Sequence, residues 1–408
     1  MSRKRWITVL VAMFVIAGVS GSGLIAWLFY TLAAILAVAV YVSRHPARLR
    51  SARREMTATH AEIGQVVSIE VDLAWERAVG PGWILARDSV PRSLDVLNPT
   101  GRLFISTATS HTSFCYRVSA KQRGYYPIGP LSVSCGDLFG IEYSESELAD
   151  LHFLTVYPRV VPVPEIRVPS NRPIGDVRSS ERVFEDPTRT VGVRDYMPGD
   201  NPRRIHWKAT ARAGRLESKV YEPSTAVEVN IVLNLFEEDY PAGEHDVEVA
   251  CTAAASLGAA LLMARQLVGL MSNGADAAWK YNGSNGSPRG RVCVKADRSY
   301  AQLASILSAV ARLEPSREIP LPEYLAEIHS SLRWTATLLI ITHRLDDWSA
   351  QVLESLRRSG FALAVVIAGT GDFAEESTHR AASLSLPVGW VQTEEQLGVL
   401  EFWRPGRA

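Results

Sequence analysis

Apolar and polar positions give the chain three successive rhythms. From Trp6 to Ser43 no charged residue occurs. As one helix this run would be about 57 Å long at about 1.5 Å per residue, against roughly 30 Å of bilayer hydrocarbon. Two passes fit, and Ser20-Gly21-Ser22-Gly23 makes the turn between them easy. Each arm is short for a full span, so a shallow hairpin is an alternative. Residues 57–165 carry short runs that partly alternate, such as Val66 to Leu73, Phe114 to Val118 and Leu131 to Val133. Turn signals at Pro81-Gly82 and Pro99-Thr100-Gly101 separate them, and no long helical period appears. The pattern predicts a small β-sandwich of the immunoglobulin-like kind.

Residues 158–190 are rich in proline and arginine and are expected to form an irregular connector. Beyond it strands and helices alternate. Val227–Phe236, Thr335–Thr342 and Phe361–Ala368 read as buried strands, with a further short strand at Ala278–Tyr281. Asp246–Ser272, Ser299–Leu313 and Asp346–Arg358 read as helices, the last stopping before Gly360. This rhythm predicts an α/β layer with a parallel sheet. The expected division is a membrane hairpin with its basic flank (1–56), a β-sandwich-like domain (57–165), a connector with a distinctive segment (166–225), and an α/β domain (226–408).

Charge adds orientation. The chain holds 43 basic and 43 acidic residues, so bulk electrostatics gives no reason to expect nucleic acid. Locally, Arg3, Lys4 and Arg5 precede the apolar run and Arg44, Arg48, Arg50, Arg53 and Arg54 follow it. Basic flanks on both sides favour both ends in the cytoplasm. A cleaved signal peptide is the competing reading, but the second apolar arm with its basic stop would still call for a membrane. Cys115, Cys135, Cys251 and Cys293 have no metal-ligand spacing and read as reduced thiols, with a Cys115–Cys135 disulfide as an alternative in an oxidising compartment.

The densest unusual segment runs from Arg194 to Arg212. Met197-Pro198-Gly199-Asp200 reads as a turn. Asp200 is expected to cap a short helix through Ile205 to Arg212, with Pro202 in its first turn. On that helix Arg204, Lys208 and Arg212 would form a basic stripe. The functional reading is a docking surface for an acidic protein patch or for phosphate. The structural reading pairs Arg194, Arg203 and Arg212 with Asp195, Asp200 or Glu217 and buries Trp207 in a core. A hydrolase using Asp200 and His206 is a third reading, without a nucleophile elbow to support it.

The segment resembles the signature of the bacterial family catalogued as domain of unknown function number fifty-eight. Arg194, Tyr196, Pro198, Gly199 and Asp200 meet its first part. Arg203 or Arg204 with Ile205, Trp207 and Lys208 meets the second, and Ala211 with Arg212 the third. Many relatives carry aspartate where this chain has His206. A second resemblance is Arg123 to Leu131 followed by Asp137-Leu138-Phe139-Gly140. The resemblance implies two membrane helices, a β-rich region and a carboxy-terminal domain similar to a von Willebrand factor A domain. It also implies a MoxR-type AAA+ ATPase as partner, often with a transglutaminase-like membrane protein, and it supplies no catalytic residues.

Von Willebrand A domains often hold a divalent cation through oxygen ligands after the first strand. Here Asn234 stands where an aspartate would be, Phe236 and Glu238 replace two serines, and His343-Arg344 follows the later strand. Phenylalanine is no ligand and arginine opposes a cation, so no metal or other cofactor is expected. Glu237, Glu238 and Asp239 leave an acidic loop at a strand's carboxyl end. His152, His245, His329 and His379 read as isolated, and no phosphate-binding glycine loop occurs, so this chain is not itself the ATPase. The expected function is a non-enzymatic membrane-tethered adaptor for the ATPase. The alternatives are the Asp200/His206 enzyme and an envelope-component binding module.

Overall fold

The computed structural model describes residues 14–15, 23–43, 48–76, 82–106, 111–137, 143–148, 150–163, 185–197, 204–223, 228–241, 243–281, 291–333, 336–400 and 402. The first apolar arm apart from Phe14 and Val15, the Gly21-Ser22 turn, the flanks Arg3–Arg5 and Arg44, and the Leu138-Phe139-Gly140 motif lie outside these residues, as do Pro198, Gly199, Asp200 and Arg203. The chain forms two compact units, residues 1–159 and 160–408.

In the first unit α1 (Gly23–Ser43) exposes Leu24, Trp27, Leu28, Tyr30, Ile35 and Val38. The Phe14 ring lies 5.4 Å from Phe29. The strands are β1 (Arg48–Met56), β2 (His60–Ala61), β3 (Val66–Glu76), β4 (Gly82–Asp88), β5 (Leu94–Val96), β6 (Gly101–Ser106), β7 (His111–Ala120), β8 (Gly124–Ile128), β9 (Leu131–Asp137), β10 (Tyr143–Leu148) and β11 (His152–Val156). They form two four-stranded sheets, β1-β3-β7-β5 and β10-β9-β4-β6, with a third sheet β2-β11-β8. Along β7 Phe114, Tyr116 and Val118 alternate inward, and with Ile69, Val71, Leu73, Ile84 and Val133 they build one apolar core. All four cysteines are free thiols, so the disulfide alternative fails.

A buried ion pair sits inside that core. The Arg54 guanidinium donates to both Asp88 oxygens, at 2.8 and 2.6 Å. Tyr116 Oη donates to Asp88 at 2.6 Å. Arg54 Nη1 also reaches Asp150 O at 2.9 Å and His152 Nδ1 at 3.0 Å, so this His152 nitrogen accepts. His152, expected to be isolated, therefore belongs to a network that ties β1, β4, β7 and β11. Burial, then the Asp88 charge, pushes the Tyr116 phenol far up. One residue of the Arg123–Leu131 motif, Gly129, lies against this clasp. Gly129 takes φ +116 beside Arg54, where a Cβ would fall 2.7 Å from Asp150 O.

In the second unit β12 (Glu185–Asp195) and β13 (Glu217–Pro223) form a two-stranded antiparallel ribbon that brackets α2 (Trp207–Ala213). The part of the expected connector that begins at Glu185 is thus a strand. Its pairing bridges a 21-residue insertion, Tyr196 to Leu216, which local turn signals do not reveal.

The rest is an α/β unit. In order come β14 (Glu228–Leu233), α3 (Glu244–Met263), β15 (Leu267–Asp276), β16 (Arg291–Asp297), α4 (Tyr300–Arg312), β17 (Leu313–Glu314), α5 (Leu321–Ile328), β18 (Thr337–Thr342), α6 (Asp347–Arg358), β19 (Ala362–Ala368), α7 (Asp372–Ser383) and β20 (Val388–Val391). The sheet order is β16-β15-β14-β18-β19-β20, with β17 on β15. From β15 to β20 neighbours are parallel, and β16 and β17 pair antiparallel to β15. Side chains alternate across it. Ile231, Leu233, Leu339 and Ile341 pack with α3 and α4, while Val232, Leu338 and Ile340 pack with α5, α6 and α7.

Two expectations fail here. The helix expected over Asp246–Ser272 ends at Met263 and is followed by β15. Its stop is a Schellman turn, Arg265 N to Leu262 O and Gln266 N to Leu261 O, with Arg265 at φ 58. Glycine usually holds that position, so the boundary was hidden. The strand expected at Ala278–Tyr281 is a 3-10 turn, Ala277–Lys280, capped by Asp276 accepting from Ala278 N.

Among the described residues, the helix long and apolar enough to cross a membrane is α3, and 78% of its apolar window is buried. It is apolar on every side because it is a core helix. A shorter apolar stretch, Ala26–Ile35, lies within α1.

Candidate functional site

The signature segment fills the β12–β13 connection. Tyr196 N donates to Leu216 O at 2.9 Å and His206 N to Glu217 O at 2.8 Å, which extends the ribbon ladder inward. Ile205 bridges Ser218. α2 then stands on this base with no buried residue. A seven-residue helix without a buried face is unstable alone, so its order rests on its ends. His206 is the N-cap, its Nδ1 accepting from Ala209 N at 3.0 Å. Gly214, left-handed at φ 67, closes the other end by donating to Thr210 O.

The expected Asp200 cap is therefore replaced by His206. N3 amides are normally capped by Ser, Thr, Asp or Asn oxygens, and a neutral imidazole nitrogen meets the same need. Because Nδ1 accepts, the ring is neutral and Nε2 carries its proton. His206 thus has no free lone pair in this arrangement.

The remaining signature residues are distributed as follows. Arg204 lies in the turn before α2, not on its stripe, and Lys208 and Arg212 share one helix face. Neither Lys208 nor Arg212 has an acidic partner among the described residues. Instead Arg215 takes that place, its Nε 3.2 Å from Asp195 and 3.9 Å from Glu217, offsetting two carboxylates that face each other across the ribbon. Arg194 donates to Asp195 O at 3.2 Å. Trp207 is 69% exposed, so the reading that buries it fails. Val193, Met197 and Leu216, at the two ends of the segment, are exposed apolar residues. His206, Lys208, Ala209, Arg212, Ala213 and Glu217 line an open cleft of about 440 Å³.

The second candidate region is the carboxyl end of the sheet, where β14 pairs β15 on one side and β18 on the other. Such a switch point is where open α/β sheets bind ligands. Here protein atoms fill it. Asn234 Nδ2 donates to Asp239 Oδ2 at 2.8 Å and to Thr342 Oγ1 at 2.9 Å. Its Oδ1 accepts from Asn273 Nδ2 at 2.8 Å and from Phe236 N at 3.2 Å. An amide with two donors and two accepting lone pairs is thereby saturated. Among the described residues no cluster of three His, Cys, Asp or Glu could hold a metal.

Beside it the sequence reading missed a pair. Asp246, on the first turn of α3, and His343 are both fully buried, with His343 Nδ1 2.9 Å from Ala368 O and 3.5 Å from Asp246. Asp246 looks like an ordinary acid at a helix start. Only the distant β18 brings the imidazole to it. The acidic loop is also less free than expected. Glu237 pairs with Arg317, which holds its carboxyl below the usual range.

Asp239 has its carboxyl pushed up, chiefly by burial, against the lowering effect of Asn234 and Arg344. A raised folded value means that this residue's contribution to stability is present below the ordinary aspartate range, about 3.9, and is lost as pH rises through the folded value. Asp239→Asn, which can still accept from Asn234, is expected to flatten that slope. Hydrogen exchange of β14 amides at several pH values checks it, and an unchanged slope would contradict the assignment.

A von Willebrand factor type A structure from Catenulispora acidiphila is 16% identical, overlaps 45% of this chain and 42% of that one, and has a TM-score of 0.27. The proximal thread matrix protein 1 of the mussel byssus gives 12%, 42%, 44% and 0.28 in the same order. The uncharacterized protein YeaD of Bacillus subtilis (strain 168) is 25% identical over 225 residues, 53% of this chain, which spans 56% of that relative's length. Residues 192–372, from the signature ribbon to the start of α7, match the family described as Protein of unknown function DUF58.

Proposed function

We propose that this chain is a non-enzymatic, membrane-anchored adaptor that docks a cytoplasmic MoxR-type AAA+ ATPase through its signature segment. The observation that carries the reading is α2, a helix with nothing buried, held by side-chain and glycine caps, and offering Trp207, Lys208 and Arg212 to solvent. Exposed aromatic and arginine side chains are what protein interfaces favour. Against the enzyme alternative stands His206, whose Nδ1 lone pair is spent on the cap. The anchor is a two-pass hairpin with both termini and the soluble body in the cytoplasm. Supporting it, Phe14 and Phe29 touch, seven residues before Gly21 and seven after Ser22, as two antiparallel arms turning there would require. The α/β unit is a von Willebrand A-like scaffold in which an amide occupies the cation's place. A transglutaminase-like membrane protein is a second partner that the family resemblance suggests.

The test is fractionation of cells that carry both proteins. The ATPase is expected in the membrane fraction with the wild-type chain and in the soluble fraction when residues 1–43 are deleted. Arg204→Glu with Lys208→Glu should release it without releasing the chain. An ATPase that stays on the membrane with the double variant would refute the docking role of the segment.

A further inference from the structure

We infer that the cleft beside α2 is a recognition site for carboxylates of an acidic protein segment that also carries apolar side chains. The inference rests on the docking role of this segment and names the chemistry it reads.

Three cationic or protic groups line the cleft. Lys208 and Arg212 stand one helical turn apart, and neither has an acidic partner among the described residues. His206 adds a third. Its Nδ1 is occupied by the Ala209 amide, so the nitrogen left over is the protonated Nε2, which only donates. Ammonium, guanidinium and imidazole N–H together favour an anion, and arginine suits a planar carboxylate. Glu217, with its side chain 12% exposed, lines the cleft too, and Arg215 lies 3.9 Å from it. That carboxylate repels a ligand anion from its own wall and directs it toward α2.

Size and surroundings select a protein segment over a small ion. The open cleft of about 440 Å³ is far more than a phosphate fills. Ala209 and Ala213 give the cleft a small apolar floor. Trp207, next in the chain to His206 and Lys208, is exposed, as is Leu216, next to Glu217. A chain segment with glutamates interleaved with leucines would meet both kinds of surface.

The test uses the full chain in nanodiscs of zwitterionic lipid. The probe is a fluorescein-labelled peptide of alternating Glu and Leu, followed by anisotropy. Saturable binding is expected, weakened about tenfold or more by Lys208→Glu with Arg212→Glu and by raising salt. His206→Asp separates the cap from the donor. Hydrogen-exchange protection of the Ala209 amide should persist, because aspartate caps as well, while peptide affinity falls severalfold. Peptide binding unchanged by the double charge reversal overturns the site. So does His206→Asp binding the peptide as wild type does. Displacement of the peptide by millimolar inorganic phosphate, or by a soluble short-chain phosphatidylglycerol, would assign the cleft to a phosphate or a lipid headgroup and overturn the inference. Should the peptide bind while the ATPase fails to follow the chain to the membrane, the adaptor reading falls and the cleft stands.

Discussion

Asp88→Ala is expected to abolish most of the stability of the β-rich unit. The change leaves the Arg54 guanidinium, 4% exposed, inside an apolar core with its carboxylate gone. Breaking a buried pair by deleting one partner costs about 3–5 kcal/mol. The Tyr116 hydroxyl loses its acceptor as well, which adds a smaller penalty. Protection of β7 amides against hydrogen exchange should fall by roughly two to four orders of magnitude, since each 1.4 kcal/mol is tenfold. A companion variant separates charge from packing. Arg54→Met with Asp88→Leu removes both charges and should be less damaging than Asp88→Ala, because no ion is left unpaired. If β7 protection in Asp88→Ala equals wild type, the clasp does not hold the sandwich.

The second large effect is expected at Asn234. Its side chain makes four hydrogen bonds at the β14–β18 switch point, all to groups of the protein. Asn234→Ala leaves Asp239, Asn273 and Thr342 short of partners. Each buried group left unsatisfied costs on the order of 1–3 kcal/mol, so a total of about 3–5 kcal/mol is expected. The loss should appear as faster exchange along β14 and β18, with β1 to β11 unaffected, since they belong to the other unit. Asn234→Asp is a gentler probe. It keeps the acceptor for Asn273 but sets a carboxylate against Asp239, so its penalty should shrink as pH falls. Equal behaviour of the two variants across pH would contradict this wiring.

What the sequence revealed, and what it hid, follows from the range of each interaction. Thr337–Thr342 and Ala362–Ala368 were legible because buried parallel strands are continuous apolar runs. The helix Asp347–Arg358 was legible because Asp346 caps it and Gly360 follows it. The end of α3 was not, because Arg265 occupies the left-handed position that glycine usually marks. The β12–β13 ribbon was not, because its strands meet across the whole signature insertion.

At the site, the existence of a short helix could be read and its cap could not. Asp200 is the stronger cap by residue type, yet the ribbon ladder presents His206 to the Ala209 amide. The same limit applies to Arg54–Asp88 and Asp246–His343. Each half is an ordinary titratable residue in its own stretch, and only tertiary pairing makes it special. The network around Asn234 was not readable either. Its partners Asn273 and Thr342 come from β15 and β18, far along the chain, and the first part of β15, up to Ser272, reads as the end of the preceding helix.

The central claim is that the signature segment docks the ATPase, and direct titration tests it best. Purified MoxR-type ATPase is titrated onto the full chain in nanodiscs, in low and high salt. Saturable binding is expected, weakened about tenfold or more by Arg204→Glu with Lys208→Glu and by high salt, while α2 keeps its amide protection. Binding that the charge reversal leaves untouched, or no binding by the folded wild-type chain, would contradict the claim.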